Sequence, residues 1–272
     1  MNPSWKQSTF VAFDTETSGK YPLTAEVCEV AGVKWQAGRI VGEFQSFVRT
    51  SKPMSEEVIA IHHITNEMLV GAPAMSQVIC AFMEFVGDSY MVAHHAPFDM
   101  GFLAPEIERA GLPLPQKPVF CSSLLARKNI KGTENHKLQT LAKHLKINAG
   151  QAHRATDDAR VCLELMLHIF KNVGEEVGLE DLFKYQEAHL PWSDYSISDL
   201  RKHAVYSNII KSLEQNVPVQ IVYAGGSRPG QARTVWPLGL VRNPLDDYFI
   251  AVEEGETIGK RYFLKRITAA RF

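Results

Sequence analysis

The sequence has no apolar run approaching the ~20 residues that a membrane span requires, and its opening MNPSWKQS lacks the charged and apolar regions of a secretory signal. A cytoplasmic location without a membrane partner is the expectation by elimination. Cysteine is scarce: Cys28, Cys80, Cys121 and Cys162 lie far apart with no CxxC pair, which suggests neither a zinc knuckle nor a thioredoxin-like redox site. Reduced thiols filling core positions are the simpler reading. Internal repeats and low-complexity segments are missing as well. Net charge is nearly missing too, at a formal -1, which excludes a uniformly basic nucleic-acid coat. That total hides an asymmetry. Residues 1–197 carry 18 Lys and Arg against 23 Asp and Glu, a balance of -5, and residues 198–272 carry 11 against 7, a balance of +4.

What is present is an ordinary globular composition, 45% hydrophobic and 22% charged over 272 residues, enough for a sizeable core and, at this length, two domains. Residues 9–14, 27–35 and 39–48 are rich in Val, Ile and Phe and are separated by Gly-containing turns, the pattern of a strand meander. A helical stretch at 73–86, an apolar strand at 90–94 and a helix at 98–110 follow, the last halted by Gly111-Leu112-Pro113. Residues 119–173 continue as a short strand and three helices. In the last of these, 155–173, Ala159, Cys162, Leu163, Met166 and Phe170 form one apolar stripe. Strands first and alternation with helices afterwards predict an α/β or α+β layer fold. Residues 176–197 read as a connector between a domain at 1–175 and another at 198–272. The second opens with a helix to about 215 and then turns to short strands with tight turns, the texture of a small barrel.

The chemistry is carried by acids on apolar faces. Side chains at i and i+2 of a strand point the same way, so Asp14 and Glu16 of TFVAFDTETSG emerge side by side at the end of the first strand. Strands also end in acids for solubility. Asp99, in HHAPFDMGFL, precedes Phe102, Leu103 and Ile107 at helical spacing and so lies on the apolar face of its helix. The helix macrodipole accounts for an acid at that end, though less well for its inward direction. Asp158, in HRATDDARVCLELM, sits four residues before Cys162 and eight before Met166, again facing inward, while Thr156 and Asp157 suit an N-cap and a first-turn acid. Unpaired buried anions cost several kcal/mol each. Four of them therefore need a shared source of positive charge, and oxygen-only ligands argue for a hard divalent cation, Mg²⁺ or Mn²⁺, in a two-ion arrangement suited to displacement at phosphorus. His153, five residues before Asp158 in a loop-like segment, suits proton abstraction from water beside such ions, and equally reads as one surface histidine among ten.

The three segments FDTETSG, HHAPFDMGFL and HRATDDA resemble the exonuclease motifs of the DEDDh exonucleases, relatives of the proofreading subunit of bacterial DNA polymerase III, over roughly residues 8–172. The resemblance implies a ribonuclease H-like fold, a mixed sheet flanked by helices, and two-metal removal of nucleoside monophosphates from a single-stranded DNA or RNA 3′ end. It implies that Asp14, Glu16, Asp99 and Asp158 are the metal acids and His153 the general base. It also implies that Thr17, Phe98 and, from IHHITNEML, His62 lie at the terminal nucleotide. A polymerase or repair partner belongs to the same set of expectations. The family commonly carries Asn where this chain has His95, a departure that bears on local geometry or substrate preference.

The C-terminal segment resembles a WYL domain through Arg233, Trp236-Pro237-Leu238, Tyr248-Phe249-Ile250 and RYFLKRI at 261–267. This resemblance implies a small Sm/SH3-like β-barrel that binds nucleic acid or a small effector. A module of charge +4 with Arg233, Arg261, Arg266 and several aromatics suits phosphate contacts and base stacking. The same residues also suit a barrel core with a solvated rim.

Overall fold

The computed structural model describes residues 2–272. Thr9–Thr17 (β1), Val27–Gln36 (β2) and Arg39–Phe47 (β3) form the expected antiparallel meander. Glu56–His62 (α1), a short helix the sequence pattern did not announce, is followed by Met75–Val86 (α2), Tyr90–Ala93 (β4) and Pro97–Arg109 (α3). Phe120–Cys121 (β5), Ser122–Asn129 (α4), Leu138–Leu145 (α5) and Ala155–Val173 (α6) complete the layer. Strands β4 and β5 reach the sheet through helical crossovers and therefore pair parallel, which makes a mixed sheet of order β3-β2-β1-β4-β5.

Both faces of this sheet are covered, which is why β1 reads as an almost unbroken apolar run. Val11 and Phe13 pack into one cluster with Ile79, Phe82, Met100 and Leu103 of α2 and α3. Phe10 and Ala12 pack into the opposite cluster with Met166 and Phe170 of α6. The alternation continues past the apolar residues, so Asp14 and Glu16 fall on the α6 side and Thr15 on the α3 side. The core side chains thereby aim the acids.

Residues 176–197 are not a free connector. Leu179–Gln186 (α7) buries Leu179 and Leu182 in the α6 cluster, and Leu190, Trp192 and Tyr195 are buried in the α2/α3 cluster. Beyond them Ile197–Arg201 (α8) and Ala204–Gln215 (α9) lead into Val219–Tyr223 (β6), Ala232–Val241 (β7), Tyr248–Glu253 (β8), Lys260–Phe263 (β9) and Ile267–Arg271 (β10). These strands pair in the order β10-β6-β7-β8-β9, with Ile209, Ile210 and Leu213 of α9 filling the core beneath them. The expected closed Sm/SH3-like barrel is corrected to an open sheet. A three-residue 3₁₀ turn, Leu264–Arg266, joins the two edge strands and forces a strong curl, yet no ladder closes β9 onto β10.

The second sheet is docked on the first unit through backbone contacts. Glu108 of α3 accepts hydrogen bonds from Ile197 N and Ser198 N, both at 3.0 Å, and so caps α8. Arg242 donates to the carbonyls of Ser196 and Asp194, and Thr24 Oγ1 donates to Leu238 O at 2.6 Å. Gly239 is required at this seam, since a Cβ there would lie 2.1 Å from the Tyr21 Cβ. No helix among the described residues is long and apolar enough to cross a membrane.

Candidate active site

The three motif segments converge where β1 ends, at the N-termini of α3 and α6. Asp99, buried in the first turn of α3, accepts hydrogen bonds at Oδ1 from Thr15 N at 3.0 Å and from Thr15 Oγ1 at 2.8 Å. Thr15, on the opposite face of β1 from Asp14 and Glu16, thus ties the helix to the strand end. Asp158, buried in the first turn of α6, accepts from His153 N at Oδ2 (3.0 Å) and from Gln139 Nε2 at Oδ1 (2.8 Å). Asp14 and Glu16 are half-buried beside them. One ligand atom each from Glu16, His153 and Asp158 lies within 4.8 Å of the other two. His153 is exposed and holds a left-handed backbone at φ 60°.

The electrostatics of this cluster are uniform. Burial, followed by Asp99 and Glu16, pushes the Asp14 carboxyl well above its ordinary value. Burial, followed by Asp158, Glu29 and Asp99, raises Glu16 to about 8, against the opposing pull of Arg154. Asp99 is lifted by burial to about 7 in spite of its Thr15 hydrogen bonds, and Asp158 is raised chiefly by burial as well. Four carboxyls that raise one another's affinity for protons form a site short of positive charge. An all-oxygen donor set with an adjacent imidazole fits hard divalent cations, which would be held by Asp14, Glu16, Asp99 and Asp158.

The residues implied at the terminal nucleotide have varied surroundings. Phe98 is half-buried, packs its ring 5.0 Å from that of Phe102, and joins Lys20, His95, Asn243 and Tyr248 around a small cavity of about 80 Å³ between the two units. Thr17 is buried and its hydroxyl donates to Gly19 O at 2.8 Å. His62, only 1% exposed, lies beneath the cluster, where its Nδ1 accepts from Ile64 N at 3.0 Å and its Nε2 is 3.8 Å from Cys28 Sγ. Its pKa is lowered by burial. His95 adopts φ 64°. His is among the residues enriched in that left-handed region, so it suits the backbone turn that starts α3.

In the second unit, Arg233 is not available to a phosphate. It is 8% exposed, with Nη1 donating to Glu253 Oε1 at 3.2 Å and Nη2 to the Arg228 carbonyl. Arg261 and Arg266 are exposed and lie over the rings of Tyr248 and Phe263, at 5.3 and 5.7 Å from the centroids. Two positions went unnoticed in the sequence. Glu29, fully buried on β2, faces Glu16 in the antiparallel register, and Arg154 forms an ion pair with it. An acid in the middle of the apolar run VCEVAGV is the signal that marks it.

The RNase_T exonuclease model matches residues 11–166, the unit that carries all four acids and His153. The chain belongs to this exonuclease family. Within it, the chain is 34% identical over 218 residues to DNA polymerase III PolC-type of Bacillus cereus, a match covering 75% of this chain and 15% of that one. The Bacillus subtilis PolC-type polymerase is 36% identical over 177 residues, covering 63% and 12%. The chain therefore spans a small fraction of these relatives. Among solved folds, a 3′-exonuclease with histone mRNA stem-loop specificity aligns with TM-score 0.54 at 17% identity, over 65% of this chain and 68% of that one. Escherichia coli Exonuclease I in complex with a dA16 oligonucleotide aligns with TM-score 0.53 at 17% identity, over 91% of this chain and 55% of that one. The wider coverage takes in most of the second sheet as well as the exonuclease unit.

Proposed function

We propose that the chain is a metal-dependent 3′ to 5′ exonuclease that releases nucleoside monophosphates from a single-stranded DNA or RNA end. The observation that carries this reading is the gathering of four carboxylates whose pKa values all move upward, beside an exposed histidine. Two Mg²⁺ or Mn²⁺ ions, when bound, supply positive charge to the phosphate and to the leaving 3′ oxygen and lower the pKa of a water. The chain's own residues do the rest. His153, at the exposed rim, takes the proton from the attacking water at an imidazole nitrogen. Thr15 holds Asp99 through two hydrogen bonds, and Gln139 and the His153 amide fix both oxygens of Asp158. Phe98 and Thr17 meet the terminal nucleotide, with His62 supporting the floor behind them. The strand leaves across the second unit, where the adjoining rings of Tyr248 and Phe263 carry the guanidinium groups of Arg261 and Arg266, an arrangement suited to stacked bases and phosphates.

A second reading, a nuclease acting beside a polymerase, is favoured by the likeness to PolC-type polymerases. Co-purification of a polymerase with the tagged chain tests it. The primary test is digestion of 5′-labelled DNA and RNA of equal sequence with Mg²⁺, Mn²⁺ or EDTA. A metal-dependent ladder shortening from the 3′ end, lost in Asp14→Asn and in His153→Ala, is the expected result. Intact strands that remain bound to the wild-type chain sink the reading and leave a nucleic-acid-binding regulator.

A further inference from the structure

The loop that carries His153 has few ties to the sheet. Among the described residues, the hydrogen bonds of Asn148–His153 are local: Gly150 N donates to Asn148 Oδ1, Gln151 N to Asp157 Oδ2 and His153 N to Asp158 Oδ2. The connection to β2 is made one residue later. Glu29 Oε1 accepts from Arg154 Nη2 at 3.0 Å and from Gln45 Nε2 at 2.7 Å. Its Oε2 accepts from Ala155 N at 3.1 Å, with Arg154 Nε at 3.5 Å. Ala155 is the first residue of α6, so Glu29 caps that helix from a neighbouring strand while gripping the side chain of its N-cap residue.

We infer that Glu29 and Arg154 form a positioning pair that sets the His153 loop and Asp158 against the acids of β1. This inference rests on the exonuclease reading given above. Glu29 lies directly across the strand pair from Glu16, and β1 and β2 are paired in unbroken register from Thr9 up to Glu16, with a shift only beyond it, so any group held by Glu29 is held relative to Glu16. His153 immediately precedes Arg154 and turns through a left-handed backbone, so fixing Arg154 fixes the end of the turn that carries the imidazole. Asp158 lies one helical turn beyond Arg154, and its amide donates to the Arg154 carbonyl at 3.0 Å. A carboxylate is suited to the task because its two oxygens accept four donors at once. Arginine is suited because its fork reaches both oxygens while its guanidinium rests 5.5 Å from the centre of the Phe47 ring.

The test uses the full-length chain. Removing Arg154 alone leaves the fully buried Glu29 carboxylate without its cation and threatens folding, so the decisive variant is the charge-balanced double substitution Glu29→Gln with Arg154→Gln, compared with Arg154→Lys, which keeps the charge and loses the fork. In the double variant, kcat on a labelled oligonucleotide is expected to fall about 100-fold, the scale of a 1 Å misplacement, with KM little changed. Amide hydrogen exchange should quicken at residues 150–158 while residues 161–170 stay protected. Arg154→Lys should fold normally and recover only a small part of the lost kcat. Wild-type kcat and wild-type exchange in the double variant overturn the inference. So does an even quickening along the whole chain with melting temperature, kcat and KM all worsening together, which marks a general stability element. Should the wild-type chain cut nothing, the exonuclease reading fails on its own, and the exchange pattern still decides whether the pair holds this loop.

Discussion

Each of the two units holds carboxyls withdrawn from solvent, a single glutamate in the second and a cluster of four acids in the first, and the two cases are solved in opposite ways. In the second unit Glu253, 4% exposed, accepts from the Tyr262 hydroxyl at 2.7 Å and is paired with Arg228, Arg233 and Lys260. Burial alone would push its carboxyl up, but Tyr262, Arg233 and Lys260 outweigh burial and hold it below the ordinary glutamate range. In the first unit Asp14, Glu16, Asp99 and Asp158 all move the other way. The cation that acts on Glu16, Arg154, is engaged by Glu29. A buried acid whose partner is supplied by the chain is part of the architecture. One left to wait for a cation from outside is part of a site.

The comparison is sharpened most strongly by Asp14→Asn. Loss of a metal acid should lower kcat by about 10³-fold or more, since a Lewis-acid metal contributes several kcal/mol to such a reaction. In EDTA the same substitution should raise the melting temperature, because one of four mutually repelling carboxyls has gone. Calorimetry with and without Mn²⁺ checks the second half. A variant that is less stable than wild type in EDTA would mean the cluster is not under electrostatic strain.

Glu253→Gln should do the reverse, costing about 3 kcal/mol or more of stability, the scale of stripping a partner from a buried ion pair. Urea denaturation measures it. Mn²⁺ affinity should be untouched, because Glu253 belongs to the other sheet. A shared loss of metal affinity would break the separation between the two groups.

The pH dependences should also run in opposite directions. A carboxyl raised in the folded chain contributes stability that is full below its unfolded pKa and is lost as pH rises through the folded value. With Asp99 raised from 3.8 to about 7, its contribution in EDTA disappears between those two values. The melting temperature of Asp99→Asn should therefore gain on wild type from about pH 4 to pH 7. Glu253, held low, contributes stability above its unfolded value of 4.5 and loses it as pH falls through the folded one. The deficit of Glu253→Gln should accordingly shrink in acid. Parallel pH curves for the two variants would contradict this.

How much of this was legible before the structure depends on what kind of pattern each residue obeys. Asp14 and Glu16 follow from strand alternation, and Asp99 and Asp158 from helical stripes, because these acids interrupt periodicities that local sequence displays. Glu29 obeys the same strand alternation, and its isolation within VCEVAGV was readable, but its partner is not: the pairing with Arg154 spans 125 residues and exists only once α6 lies against β2. Arg233 shares the buried parity of Val235 along β7, so its inward direction was also readable from the strand period. Its expected role at a phosphate came from composition, which carries no direction. Closure of the second sheet was not legible either, since whether β9 meets β10 depends on how α9 fills the core beneath them.

The smallest expected effect concerns the surface of that second sheet. Arg261 is exposed on β9, stands over the Tyr248 ring and is adjacent to the seam cavity that Tyr248 shares with Phe98. If a strand runs from the acids across this face, Arg261→Ala removes one phosphate contact. The slope of log affinity against log salt for single-stranded DNA should then fall by about 0.7, and the loss should appear in KM while kcat at saturation holds. Binding measured in Ca²⁺ or EDTA between about 50 and about 200 mM salt supplies the slope. An unchanged slope would confine the strand to the first unit and leave the basic face of the second sheet to another ligand, whereas a uniform fall in kcat would mean that Arg261 acts on the chemistry through the seam rather than on the strand.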